Sequence, residues 1–562
     1  MDYKKQVADT LLPYLKDELS YEDIYAKIET PKESKMGDLA FPAFTLAKVF
    51  RKAPQAIASE IVENISDDGF EKIEAAGPYV NFFLDKKHFG VEVLSSVIEQ
   101  QASYGQNDDG NNGNVPIDMS SPNIAKPISM GHLRSTVIGN SLALIMKKNG
   151  YNPIKINHLG DWGTQFGKLI TAYKLWGSEA EVKADPINKL LEYYVRFHKE
   201  DIEKPELDDV ARDWFKKLED GDEEATDLWK WFRSESLKSF KKIYDKLGIE
   251  FDSYKGEAFY NDKMDEIVQM LEDKGLLKES QGAQVVDLSK YNLNPALIKK
   301  TDGATLYITR DLAAALYRYR TYDFVQSLYV VGAEQTNHFK QLKAVLTELG
   351  FDWAKDIHHI AFGLITLNGK KLSTRSGRIV LLDAVLNDAV DLAQKQISEK
   401  NPDLVNANEV AKEVGIGAVI FHDLKNERTN SFDFNLDDVV RFEGETGPYV
   451  QYSRARAESI LRKAGNVKEF SEFELSDENV WDTLKALNEF PSVVKRAAAQ
   501  YEPSVIAKYA LSLAKSFNKY YANSKILADD EEKNARLSLV KSVSVVLKES
   551  LRLLGVKAPD EM

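Results

Sequence analysis

The stretch SPNIAKPISMGHLRST, residues 121–136, places two prolines, a lysine, a Gly-His pair and an arginine just ahead of an apolar run. These residue types suit an anion. Pro122 and Pro127 stiffen the chain, Gly131 lets a ligand approach the backbone, and Lys126 and His132 can donate to phosphoryl oxygens. Gly150, after LALIMKKN, suits a helix cap, so the spacing predicts a helix running back from Asn149 to His132. Such a helix is about 27 Å long at 1.5 Å per residue. Its N-terminus faces the loop, where unpaired N–H groups and the helix dipole favour phosphate. The ingredients suit a nucleotide; they also suit a plain strand-to-helix connection whose histidine caps or packs. Neither GxxxxGK[ST] nor GxGxxG opens this helix.

Around that loop, short apolar strands alternate with helices from Val115 onward: VPIDMS, PIKINHL, SLYVVGAEQ and HHIAFGLITL. The alternation predicts an α/β domain over 111–385 with a mostly parallel sheet. Within it, the charged, helix-forming stretch from about 175 to 275 reads as inserted helices peripheral to the chemistry. Residues 1–110 mix helical periodicity with the strand-like GPYVNFFL and end in the polar linker GQNDDGNNGN, which gives an α+β domain. From 386 to 562 the periodicity is helical, with no strand-like alternation. The expected architecture is multidomain α/β.

A length of 562 residues exceeds what one core supports. The absence of cysteine excludes disulfides, thiolate metal sites and cysteine nucleophiles, and fits a reducing cytoplasm. No apolar run is long enough to cross a bilayer, and the N-terminus reads as an amphipathic helix rather than an export leader. A net charge of −14 argues against nonspecific coating of nucleic acid. That charge is uneven: 18 basic residues nearly balance 17 acidic ones from Glu445 onward. Without a long heptad array, a monomer is the expectation.

Further blocks follow the SPNIAK loop in order: NHLGDWGTQFG (157–167), DGATLYITRDLAAA (302–315), VVGAEQTNH (330–338), KLSTRSG (371–377) and ETGPYVQYSRAR (445–456). With GDLAFPAFTLAK and AAGPYVNFFL before them and LLGVKAPDEM after, the chain resembles, over nearly its whole length, the arginyl members of the class I aminoacyl-tRNA synthetases. The resemblance implies a Rossmann-like catalytic domain with a helical insertion, an N-terminal tRNA-binding domain and an all-α anticodon-binding domain. It further implies ligation of L-arginine to tRNA(Arg) with ATP and Mg2+, without zinc, and activation that requires bound tRNA.

By that resemblance the quoted loop corresponds to the HIGH signature, with Ser129 in place of its first histidine, and Gly131 and His132 hold the ATP phosphates. KLSTRSG corresponds to KMSKS, so Lys371, Ser373 and Arg375 close over the pyrophosphate; Thr374 replaces the second lysine, and Lys126 inherits its phosphate contact. In-line attack on the α-phosphate needs positioning and charge stabilisation rather than a protein nucleophile. Tyr307, Asp311 and Gln335 correspond to the arginine pocket, and Asp118 and Asn123 to positions near the amino acid's other polar groups. Asp311 follows Tyr307 by four, so a helix starting there sets phenol and carboxylate on one face, suited to a guanidinium fork. A pocket built on such acceptors rejects lysine without editing. For tRNA, Tyr79 and Asn81 correspond to the elbow contact, and Tyr449, Tyr452, Arg454 and Arg456 lie on the anticodon side. Ser129 leaves a noncatalytic tRNA-binding relative as a second reading.

Overall fold

The computed structural model describes residues 2–31, 33–66, 69–300, 307–367, 370–371, 380–465 and 473–562. The chain separates into two compact units, 1–104 with 457–489 and 515–546, and 105–456 with 490–514 and 547–562. The boundary runs through the C-terminal helices Gly447–Ala464, Trp481–Ala499, Ser504–Asn523 and Lys533–Leu553.

In the first unit, Tyr79–Leu84 is the middle strand of an antiparallel three-stranded sheet, between Leu39–Pro42 and Phe70–Ala76. Val80, Phe82 and Leu84 alternate into its core, and Phe82 meets Phe70 at 5.1 Å between rings. The helix Lys86–Gln100 starts where Asp85 accepts from the N–H groups of Lys87 and His88.

The second unit is built on four parallel strands: β1 (Asn114–Asp118), β2 (Asn152–Ile156), β3 (Ser327–Tyr329) and β4 (Ile357–His359). Their order is β4-β3-β1-β2. Helix α1 (Leu133–Lys148) links β1 to β2; Gly150 ends it at φ +78°, where a Cβ would also lie 2.8 Å from Asp108 Cα. Among the helices inserted after β2 are α2 (Gln165–Trp176), α3 (Pro186–Glu203), α4 (Glu206–Glu219) and α5 (Glu223–Leu247). Asp222 caps α5 by accepting from Ala225 N–H, and Gly248 closes it at φ +68°. Helix α6 (Tyr307–Tyr322) leads into β3, and α7 (Thr336–Glu348) joins β3 to β4. Beyond lie α8 (Leu382–Lys400) and α9 (Ala407–Lys425). One strand departs from the all-helical reading of this region: Phe432–Asp433 pairs in parallel with Ile365–Thr366. Two residues are too short to leave a period-two pattern in the sequence.

Candidate active site

From β1 the chain passes to β2 on one side, while β3 pairs on the other, so the carboxyl ends of β1 and β3 form a topological switch point. The loop 119–132 rises from that point to α1. Ser120, Ser121 and Ala125 take left-handed conformations there, at φ 72°, 51° and 60°. Non-glycine residues persist in this region only when their surroundings hold them.

Much of that hold comes from the inserted helices, which corrects the expectation that they are peripheral. On α5, the Ser236 hydroxyl accepts from Ala125 N–H at 2.9 Å, and Tyr244 Oη lies 2.7 Å from Ser120 Oγ. On α3, the Tyr194 ring sits under Lys126, with Nζ 5.2 Å from its centre. Nothing in the charged sequence of 175–275 marks these particular side chains. Ser236→Ala strands the buried Ala125 N–H, a loss of about 1–3 kcal/mol. A lower melting temperature and a raised KM for ATP are expected; wild-type values for both would show that the loop holds itself.

At the helix mouth, Met130–His132 forms a 3-10 turn ahead of α1. The Ser129 backbone N–H donates to His132 Nδ1 at 3.1 Å, and Ser129 Oγ lies 3.2 Å from the same nitrogen. An amide N–H can only donate, so Nδ1 is an acceptor and the neutral ring carries its proton on Nε2. Burial lowers the His132 pKa below that of free histidine, which favours the neutral form. Ser129, the departure from the HIGH pattern, therefore orients the remaining histidine. Gly131 is exposed, and a Cβ there would come no closer than 3.4 Å to Ser129 Oγ, so the protein itself leaves room for a side chain. Asn123 is exposed on the same loop and bridges to Gly160, where any Cβ would collide with its Oδ1.

The loop's far end pairs with Val380 and Leu382, which follow KLSTRSG in the chain. Met130 N–H donates to Val380 O, and Leu382 N–H to Ile128 O. Strand Ile365–Leu367 pairs with Lys370–Lys371 on the other side. Ser373 and Arg375 lie outside the described residues, and Lys371 is described only through its backbone.

Helix α6, described from Tyr307 onward, sets Tyr307, Asp311 and Arg318 along one side from outside to inside: Tyr307 is 67 % exposed and Arg318 only 1 %. Asp311 Oδ2 accepts from His338 Nε2 at 2.6 Å. His338 and the exposed Gln335 stand three residues apart at the start of α7, so they share a face. The structure thus joins Asp311 to His338, three residues after Gln335, which sequence reasoning passed over although it ends VVGAEQTNH. Asp118 is spoken for within the protein: Oδ2 accepts from buried Arg318 at 2.7 Å and Oδ1 from Ser121 Oγ at 3.0 Å. Arg318 also lies over Tyr329 and 3.3 Å from His158 Nδ1. The spacing of seven from Asp311 was the available signal for Arg318.

Two residues expected to touch tRNA are corrected by burial. Asn81 is 1 % exposed, with its Cβ against Gly37, so no base edge reaches its amide in this conformation. Arg454 is 3 % exposed and donates to Ala558 O and Asp560 Oδ1, fastening the chain's last residues rather than a phosphate. The accessible members are Tyr79, edge-on to exposed Phe44, half-buried Tyr449, and Tyr452, over which Arg456 lies at 5.1 Å and Lys400 at 5.7 Å. That last group joins cations to an aromatic face, a combination suited to nucleic acid.

A phosphate-type loop at the switch point of a parallel sheet, with helices inserted after the second strand, is the architecture of the catalytic domain of a class I tRNA synthetase. The family model for tRNA synthetases class I (R), catalytic domain, matches residues 93–436; those for the arginyl tRNA synthetase N terminal domain and the DALR anticodon binding domain match 1–84 and 450–562. The chain is 84 % identical to the arginine–tRNA ligase of Pediococcus pentosaceus and 72 % identical to that of Ligilactobacillus salivarius, each over all of both chains. Its fold is similar to that of Thermus thermophilus arginyl-tRNA synthetase, with a TM-score of 0.83, 26 % identity and full coverage of both chains. The chain belongs to the arginyl-tRNA synthetase family, class I enzymes that ligate arginine to tRNA using ATP.

Proposed function

We propose that this chain activates L-arginine with ATP at the mouth of α1 and transfers it to the 3′ end of tRNA(Arg). The observation that carries the reading is the Asp118–Arg318 pair, which ties the floor of the phosphate loop to the helix bearing Tyr307 and Asp311. Lys126, His132 Nε2–H and the backbone N–H of Gly131 receive the phosphates of ATP, and the KLSTRSG loop with Lys371, Ser373 and Arg375 closes over the leaving pyrophosphate. Magnesium enters on those phosphates; among the described residues no three His, Asp or Glu side chains gather to hold a metal. Tyr307, Asp311 and Gln335 take the guanidinium, and Asn123 meets the α-substituents. Asp118, hydrogen-bonded to Arg318, contributes as the support under the pocket.

Tyr79, Tyr449, Tyr452 and Arg456 contact tRNA, whose binding licenses activation. The enzyme works in the cytoplasm, with its tRNA and ATP, as a monomer. Arginine-dependent pyrophosphate exchange with and without tRNA(Arg) tests the reading. Exchange with arginine that rises when tRNA is added is expected, and none with lysine. Exchange with lysine instead rejects the substrate assignment, and tRNA binding without exchange favours the noncatalytic relative.

A further inference from the structure

The fork of a guanidinium is usually matched by both oxygens of one carboxylate. In Asp311 the two oxygens are unequal: Oδ2 already accepts from His338 at 2.6 Å, which leaves Oδ1 with both of its lone-pair sites open. A carboxylate oxygen only accepts, so the imidazole proton sits on Nε2 and the bond is charge-assisted. Both side chains are partly covered, at 31 % and 24 % exposure, which strengthens a bond that water would otherwise weaken. The histidine is itself held: it lies in the first turn of α7 and packs edge-on to Phe339, whose ring stacks on His359 at 4.5 Å. His359 Nε2 is in turn 3.0 Å from Val331 O, next to β3. A chain of contacts therefore runs from the sheet to the Asp311 carboxylate.

We propose that His338 is a positioning residue for arginine recognition: it fixes the Asp311 carboxylate so that Oδ1 is presented to the substrate, and Gln335, at the residue just before α7, supplies the second acceptor for the fork. This rests on the reading of Asp311 as a guanidinium ligand. Two acceptors on different elements fix the plane of the guanidinium, whereas an ammonium has no plane to fix and donates its three N–H groups from a single point.

Steady-state aminoacylation by the full-length enzyme with tRNA(Arg) tests the assignment. His338→Ala is expected to raise the KM for arginine about ten- to a hundredfold, with the KM for ATP and kcat changed by no more than about twofold. His338→Gln, whose Nε2 reaches about as far, recovers most of the loss. In an Asp311→Asn background, His338→Ala adds less than about twofold, because its target is gone. An unchanged arginine KM in His338→Ala overturns the proposal, as does an equal effect in the Asp311→Asn background or a matching rise in the KM for ATP. If Asp311→Asn alone leaves the arginine KM unchanged, the guanidinium reading of Asp311 falls with it. If that variant raises the KM and His338→Ala does not, only the positioning role is lost.

Discussion

Lys126→Ala is expected to lower arginine-dependent pyrophosphate exchange by about 10²–10³-fold, the range for removing one preorganised donor from a developing phosphate charge. Lys126 is half-buried, meets no carboxylate among the described residues, and rests its ammonium on the face of Tyr194 at 5.2 Å. Partial burial without an anion disfavours the charged form and lowers its pKa below the ordinary lysine value. A triphosphate arriving at the helix mouth supplies the missing counter-charge. A lowered pKa means that the ammonium is lost at lower pH than for a free lysine, so kcat/KM for ATP falls early on the basic side. Lys126→Arg, which stays charged, removes that limb even if it turns over slowly. Exchange assayed across the basic range reads both effects; full activity in Lys126→Ala would refute the assignment.

Arg134→Met is expected to destabilise the protein by about 3–5 kcal/mol near neutral pH, as for other buried pairs broken on one side. Arg134 lies in the first turn of α1 and is 1 % exposed. Its Nε is 3.3 Å from Asp423 Oδ2 on α9, Nη1 donates to Asn430 O at 2.8 Å, and the guanidinium lies between the Phe362 and Phe432 rings. Burial pushes the Asp423 carboxyl up to about 6, even though Arg134 pulls the other way. Because that value is raised, the folded state binds the proton more tightly than the unfolded chain. Ionising Asp423 thus erodes stability between about pH 4 and 6, with no further loss above. Removing the guanidinium raises the carboxyl further, so the deficit of Arg134→Met is smaller at pH 5 than at pH 7.5. Adding Asp423→Leu removes the stranded charge and restores part of the loss. Urea unfolding of the wild type and the two variants at both pH values measures this; equal deficits of Arg134→Met at the two would show that Asp423 is not the group responsible. Since Phe432 adjoins the strand leading to the KLSTRSG loop, a fall in kcat is expected as well.

Much of the site could be read from the chain because its signals are short in range. Proline, glycine and lysine spacing marked the helix mouth; Gly150 marked the end of α1; the interval of four put Tyr307 and Asp311 on one face. Helix geometry and capping depend on residues within a turn or two of each other, so the sequence carries them whole. The order of the motif blocks fixed the family in the same way. The tertiary structure decided what each polar group is free to do. Asp118 finds its partner 200 residues away in Arg318, and Ala125 finds its acceptor 111 residues away in Ser236. Asn81 and Arg454 match a tRNA-binding pattern yet are buried, and His338, unmarked by its type, takes one oxygen of Asp311. A buried charge or amide is governed by whichever group the fold brings within about 3 Å, and that distance is set by strand order and helix packing rather than by neighbours in sequence.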